Sequence, residues 1–414
     1  MKNSKEERMH LEKMLLSLQS ISRENNIPFT PTIFFDEPQA FHYSFKLENN
    51  SKVNENIGRE IYSSGISFFS EYEALGKCLG EAIERYSLDF HGKGKLREIE
   101  ACDWNENKIR LKKILGRRIH YVQGTDISNK CPCLLPASLI YREFYSESDL
   151  LDVKVSRSIS GTAGSFILEQ ALLNGIYELI ERDSFMNIYL CSFGAPRIDV
   201  ESLHGKRIKK IVNKFQKFEL ETYIFDITTD IKVPSFASFI VDKSGIGPVL
   251  TMGLRAGYDC ERAIIDSLSE AFKNRLAIRH LKIMDNSSND YLDVYTKKRI
   301  AAWNSISSLK KLNFLLKQKP TQRIYKKDKL NVKEELEYIS TSLKEHGLNI
   351  YYADITAKFS KGIGYHVVRT VIPGLQQFFQ DEKEKKIINK ERLFQVAKFF
   401  DIKAKINPIP HPFL

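Results

Sequence analysis

"SGTAGSFILEQALLNGIYELIERDSF", Ser160 to Phe185, runs from a string of small residues into a segment that is apolar on nearly every face. Leu172, Leu173, Ile176, Leu179, Ile180 and Phe185 cover several sides at helical spacing, which predicts a largely buried helix over roughly 166–190. Into that run the chain inserts Glu178, Glu181 and Arg182, and positions i, i+3 and i+4 of a helix share a face. The Glu-x-x-Glu-Arg spacing also occurs about a hundred residues earlier, in "GEAIERYSL" (Gly80 to Leu88), as Glu81, Glu84 and Arg85.

By spacing alone each segment reads equally as ordinary i,i+4 ion pairs, worth a few tenths of a kcal/mol. The apolar flanks alter the balance. Carboxylates one turn apart in a buried setting repel each other, and a single Arg cannot neutralise both. A bound cation resolves the conflict: Mg²⁺ takes carboxylates together with substrate phosphates, and arginine suits phosphate oxygens. A further acidic segment, "DSLSEAFKNRL" (Asp266 to Leu276), sets Glu270 ahead of Arg275 in another apolar-periodic helix, so the three helices could serve one nucleotide.

The small residues Ser160, Gly161, Thr162, Ala163 and Gly164, just ahead of Glu169 and Gln170, form a candidate phosphate-approach loop at a helix start, though small residues there also make a plain turn. The chain has no Gly-x-x-x-x-Gly-Lys-Ser/Thr loop, no Gly-x-Ser-x-Gly elbow, and no His three residues after these glutamates to build a di-iron site.

Elsewhere, "EERMHLEKMLLSLQSISREN" reads as an amphipathic helix, and "TPTIFF", "HYSFKL", "TYIFDI", "SFASFIV", "NIYYADI" and "YHVVRTVIP" read as strands. Roughly 71–90 and 260–284 join 166–190 as helices, while 282–333 reads as a helix followed by a solvated connection. Helices and strands are mixed along the whole length, so the fold class is α/β (α+β mixed), with one large unit expected over the 414 residues.

The net charge of +11 gathers in 204–218 and 310–333, which read as solvated basic faces, since neither stretch has the pattern of a nucleic-acid module. Six cysteines in so long a chain are not a secreted disulfide framework, and Cys131-Pro-Cys133 lacks partners for a zinc site. With no signal-peptide pattern and no run of eighteen apolar residues, a cytoplasmic protein without a membrane-spanning helix is expected.

Taken in order, "ALGKCLGEAIERYS", "SGTAGSFILEQALLNGIYELIERDSF", "GLRAGYDCERAIIDSLSEAFKNRL", "VVRTVIPGL" and "NPIPHPFL" resemble the YcaO family over roughly 56–414. The resemblance implies a YcaO-like fold of mixed sheets and helices surrounding an ATP site without a P-loop. It divides the chain into an N-terminal extension (1–55), an ATP-binding domain (56–400) and a Pro-rich tail (401–414). It assigns Mg²⁺-binding carboxylates to Glu81, Glu84, Glu178, Glu181 and Glu270, and nucleotide contacts to Arg85, Ser160, Glu169, Gln170, Arg182 and Arg275. The family's first motif begins with Ser where Lys77 stands, and its third carries Gln where Lys273 stands.

Azoline-forming members use ATP to phosphorylate a backbone amide oxygen of a ribosomal precursor peptide, and they end in a Pro-x-Pro-x-Pro tail that enters the active site. Pro408, Pro410, Pro412 and Leu414 match that tail, and alternate prolines favour an extended conformation with little ordering cost. The resemblance further implies a separate leader-binding partner related to ubiquitin-activating enzymes, a flavin dehydrogenase in the same complex where azolines are oxidised, and a homodimer. Thioamide formation on the same fold, and a non-catalytic basic scaffold for a peptide or nucleic acid, stay open as alternatives.

Overall fold

The computed structural model describes residues 2–22, 26–31, 33–47, 61–90, 96–100, 118–142, 144, 160–203, 205–284, 294–323, 325, 330–379 and 387–413. In chain order come helix α1 (Lys2–Gln19), strands β1 (Phe41–Leu47) and β2 (Ile61–Ser67), helix α2 (Glu71–Ser87), strands β3 (Arg97–Glu100), β4 (Arg118–Asp126), β5 (Cys131–Pro136) and β6 (Thr162–Ser165), and helix α3 (Leu168–Cys191). Next come β7 (Arg197–Ile198), α4 (Lys206–Gln216), β8 (Glu221–Asp226), β9 (Ser235–Val241), β10 (Leu250–Ala256) and α5 (Cys260–Met284). The chain ends through α6 (Val294–Trp303), α7 (Asn313–Leu316), β11 (Pro320–Thr321), α8 (Val332–Glu345), β12 (Tyr351–Asp354), α9 (Lys358–Lys361), β13 (His366–Val371) and α10 (Lys390–Phe399). The mixed α/β class read from the pattern is the class found.

The chain forms two compact units, each assembled from separate stretches: Met1–Pro31, Ala40–Leu179 and Leu330–Gly374 in one, Thr32–Gln39, Ile180–Lys329 and Leu375–Leu414 in the other. The first holds the β1-β2 pair and a sheet ordered β3-β4-β12-β13-β6, with β5 also on β4; every pairing is antiparallel. Its core gathers Leu18, Phe45, Ile83, Tyr121, Ile119 and Val367. Helix α2 begins where Ser70 accepts the Glu73 N–H, with Glu71 and Glu73 in the first turn and Arg85 in the last, so its charges complement the helix dipole.

The second unit is built on the sheet β10-β9-β8-β7-β11. Strand β9 is buried at every position: Phe, Ala, Ile and Val fill it, and its two serines hydrogen-bond the Val233 carbonyl and the Ser267 hydroxyl. Phe185, Met186, Tyr189, Phe225, Phe239 and Trp303 fill this core. Arg392 of α10 is buried with it, bridging Asp183, which is fully buried, and Asp230.

One local design is used in both units. A Cβ added to Gly65 of β2 would stand 2.0 Å from the Ala74 carbonyl oxygen and 2.4 Å from the Cys78 nitrogen of α2, so strand and helix backbones touch. A Cβ added to Gly253 of β10 would stand 2.2 Å from the Ser267 oxygen and 2.5 Å from the Ala271 nitrogen of α5. The next contact falls on Lys77 in the first case and on Glu270 in the second, which makes these two equivalent positions.

Two expectations need correction. Thr30–Phe35 joins no sheet among the described residues; Phe29 alone bridges Ser44. Pro28 and Pro31 lack the N–H a ladder needs, and Glu37 beyond them is held by charge, its carboxylate accepting from Arg275 Nε at 2.8 and 2.9 Å. The stretch after Lys282 is less of a solvated connection than its charge indicates, because Trp303, Leu312 and Leu315 turn into the second core at 3% exposure or less. Among the described residues no helix is long and apolar enough to cross a membrane.

Replacing Gly253 by Ala should destabilise the protein by about 1–3 kcal/mol, because backbone atoms, not yielding side chains, meet the new methyl. Urea unfolding checks this; an unchanged midpoint would mean that β10 and α5 are less tightly opposed.

Candidate functional site

In the first unit Glu81, Glu84 and Arg85 lie on α2, and Glu178 lies on α3. Gly161 adopts φ 90°, and its N–H donates to Glu178 Oε2 at 2.9 Å. The Gly164 N–H, on β6, donates to Glu84 Oε1 at 2.6 Å. Glu81 accepts from the Ser64 N–H of β2 at 2.8 Å and from Arg85 at 2.6 Å; Arg85 also donates to the Tyr62 carbonyl at 2.6 Å. The small residues after Ser160 therefore present backbone donors, but to the protein's own carboxylates. Ser160 itself is buried, and its carbonyl accepts from Arg369.

Burial pushes Glu84 up to about 8, with the neighbouring charges of Glu81 and Glu178 adding to the shift while the Gly164 hydrogen bond and Arg85 oppose it. Tyr365, packed beside Gly80 and Gly164, is raised by burial and then by the Glu84 charge. At neutral pH Glu84 therefore keeps its proton, chiefly because burial disfavours the charged carboxylate and secondarily because Glu81 and Glu178 lie near it.

The second unit repeats the device. Glu181 Oε2 accepts from the Ala256 N–H at 3.0 Å, and Glu270 Oε2 from the Leu254 N–H at 2.7 Å, both on β10. Glu270 is raised by burial, against the opposing effects of Lys273, the Leu254 N–H, Arg182 and Arg255. Arg182 lies over two rings, 4.7 Å from the centre of Phe378 and 5.4 Å from that of Phe413. Arg275 is spent internally at 3% exposure, pairing with Glu37 and with Asp242 at 2.7 Å. Lys77, in the first unit, pairs with Glu73 at 2.9 Å. Glu169 stands in the first turn of α3, and Gln170 donates to Asn174 at 3.1 Å.

The tail is a packed element. Asn407 N–H reaches the Leu190 carbonyl at 2.7 Å, the Pro410 carbonyl accepts from Tyr189 Oη at 2.9 Å and Trp303 Nε1 at 3.1 Å, and His411 Nε2 lies 2.8 Å from the Phe379 carbonyl. Pro412 and Phe413 are buried, Pro410 is half-buried and Pro408 is exposed; Leu414 lies outside the described residues. Prolines carry no N–H, so this segment is buried with fewer donors to satisfy.

The carboxylate oxygens of Glu81, Glu84 and Glu178 in the first unit, and of Glu181 and Glu270 in the second, are of the hard kind that Mg²⁺ takes. Among the described residues no three His, Cys, Asp or Glu side chains are grouped closely enough to hold a metal by themselves. Mg²⁺ asks for no such cage, since it keeps waters and phosphate oxygens beside one or two carboxylates. The family model described as "YcaO cyclodehydratase, ATP- and Mg²⁺-binding" matches residues 69–376.

The chain belongs to the YcaO family. The family's description makes ATP and Mg²⁺ the cofactors of this chain. In fold it is similar to a heterocyclase solved in complex with substrate and cofactor, with a TM-score of 0.76 and 18% identity, covering 97% of this chain and 57% of that one. It is also similar to the YcaO protein of Methanopyrus kandleri bound with AMPPCP and Mg²⁺, with a TM-score of 0.63 and 15% identity over 91% of this chain and 93% of that one. A chain of the E. coli microcin synthetase McbBCD complex gives a TM-score of 0.65 and 16% identity, over 93% and 96% respectively. The chain thus spans little more than half the length of the first of these.

The strand N–H donors, Tyr365, Phe378 and Phe413 escaped the sequence reading. Backbone donors leave no side-chain signature, whereas Phe413 lies in the quoted tail and could have been noticed as the one phenylalanine there.

Glu84 titrates near 4.5 when unfolded and near 8 when folded, so between those values the folded state holds the extra proton, and this group's contribution to stability falls as pH rises. The thermal midpoint of the wild type minus that of Glu84→Gln should therefore decrease from pH 5 to pH 8. A flat difference would contradict the burial and crowding of this carboxyl.

Proposed function

We propose that this YcaO protein is the ATP- and Mg²⁺-dependent cyclodehydratase subunit of a system that converts Cys, Ser or Thr residues of a ribosomal precursor peptide into thiazolines or oxazolines. The observation that carries the reading is the set Glu84, Glu178, Glu181 and Glu270, each anchored through one oxygen to a strand or turn N–H. For Glu84 the Gly164 N–H and Arg85 are outweighed by burial and by the charges of Glu81 and Glu178, which push its carboxyl up to about 8. A cation together with an anionic ligand complements such a set.

In this reading Glu81, Glu84, Glu178, Glu181 and Glu270 hold Mg²⁺, which when bound offsets phosphate charge. Arg85 and Arg182 face the nucleotide's charge, while Arg275 braces α5 through its carboxylate pairs so that Glu270 keeps its place. Ser160, Glu169 and Gln170 are assigned to the nucleotide's surroundings. The substrate's own thiol or hydroxyl gives up its proton and attacks the preceding carbonyl carbon, closing the ring; the resulting oxyanion takes the γ-phosphoryl group of ATP, and phosphate leaves with that oxygen as the former amide nitrogen loses its proton and the C=N bond forms. The peptide loses one water for each ring, and ADP and phosphate are released. The protein supplies position and charge rather than a nucleophile. The packed tail, Pro408 to Leu414, is assigned to the active site.

The partners proposed are a separate protein related to ubiquitin-activating enzymes that presents the leader of the precursor, and a flavin dehydrogenase where azoles are the product. The fold likeness to a chain of the microcin synthetase complex supports a multi-protein setting.

Incubating the protein with its precursor peptide, partner, ATP and Mg²⁺ should lower the peptide mass by one water per modified residue, and Glu84→Gln should abolish the change. An unchanged mass with an active complex would overturn the proposal.

A further inference from the structure

Arg182 is the motif arginine of the second unit, and two rings flank its guanidinium. Phe378 and Phe413 place their centres 4.7 and 5.4 Å from it, and the two rings meet each other edge to face at 5.3 Å and 87°. A guanidinium is a flat, weakly hydrated cation, so an aromatic face holds it by quadrupole attraction as well as by contact. Phe413 belongs to the tail, whose path is fixed independently of Arg182. Tyr189 and Trp303 hold the Pro410 carbonyl, Asn407 reaches Leu190, and His411 is buried among Phe185, Phe378 and Phe379. The anchored tail thus delivers a ring at 2% exposure to one side of the arginine.

We propose that Phe413 is a positioning residue for the nucleotide site, its ring and that of Phe378 orienting the Arg182 guanidinium. This role rests on the reading above that Arg182 serves bound ATP. The C-terminal tail then acts on nucleotide binding through an aromatic stack in addition to anything its end contributes to ring formation. Truncating the tail removes that stack and weakens the nucleotide site along with the chemistry.

The test is a double-mutant cycle in the full chain between Phe413→Leu, which fills most of the volume without a π face, and Arg182→Met, which keeps an unbranched side chain without charge. Dissociation constants for ATP in saturating Mg²⁺, measured calorimetrically, are the first readout. Phe413→Leu should weaken ATP about 3- to 10-fold in the wild-type background and have no further effect beside Arg182→Met. Equal weakening in both backgrounds would overturn the proposal, because Phe413 would then act through packing alone, and so would undiminished affinity in Phe413→Leu. A wild type that binds no Mg²⁺-ATP would instead overturn the nucleotide reading on which the role rests. The same cycle read by urea unfolding reports the stack without any nucleotide, so a coupling there with no effect on ATP separates the two failures. Circular dichroism of each variant guards against loss of fold.

Discussion

The organisation of this protein turns on carboxylates held one at a time by strand or turn N–H groups. Glutamates on packed helices need donors, and a neighbouring backbone supplies them at fixed places without adding charge. Gly164 and Gly161 do this for Glu84 and Glu178, while Leu254 and Ala256 do it for Glu270 and Glu181. The requirement reaches into the packing: α2 and α5 must lie close against β2 and β10, and only Gly65 and Gly253 leave room for backbone to touch backbone. A backbone N–H satisfies an acceptor without cancelling its charge, and carboxylate charge is what a cation-dependent site can use.

Much of the frame was legible in the sequence because the signals were strong. The apolar periodicity around Glu178 and Glu270 marks long buried helices, and they appear as α3 (Leu168–Cys191) and α5 (Cys260–Met284). "SFASFIV" is a central strand in the second unit's sheet, as its run of apolar residues broken only by small serines implies. The reading failed where charge and apolarity compete locally. Thr30–Phe35 has strand-like residues but prolines on both sides of its start, and the charged 282–333 stretch hides Trp303, Leu312 and Leu315, whose burial depends on partners distant in sequence. The candidate residues could be named but not their environments. Nothing in the spacing distinguishes Arg182, laid over two rings, from Arg275, consumed by Glu37 and Asp242.

The shared β2/α2 and β10/α5 design also gives Lys77 a meaning that its sequence position alone does not. It occupies the place that Glu270 occupies in the second unit, so the two units present opposite charges from equivalent positions. Asn274 likewise stands where Glu81 stands, bonding the Met252 carbonyl at 2.9 Å where Glu81 bonds the Ser64 N–H. A common scaffold has thus been given different charges, the first unit carrying its carboxylates on α2 and the start of α3, the second on the rest of α3 and on α5. The Pro-rich tail belongs to the same economy of donors, since a segment with few N–H groups can be buried beside Arg182 without leaving them unpaired.

Calorimetric titration of ATP into the full chain, with and without Mg²⁺, for the wild type and for a Glu84→Gln, Glu181→Gln double variant, tests the central claim most directly. Binding that requires Mg²⁺, releases protons at pH 7 as Glu84 ionises, and is lost in the double variant is the expected result. Binding that is indifferent to Mg²⁺, or that survives in the variant, would contradict the assignment of these carboxylates.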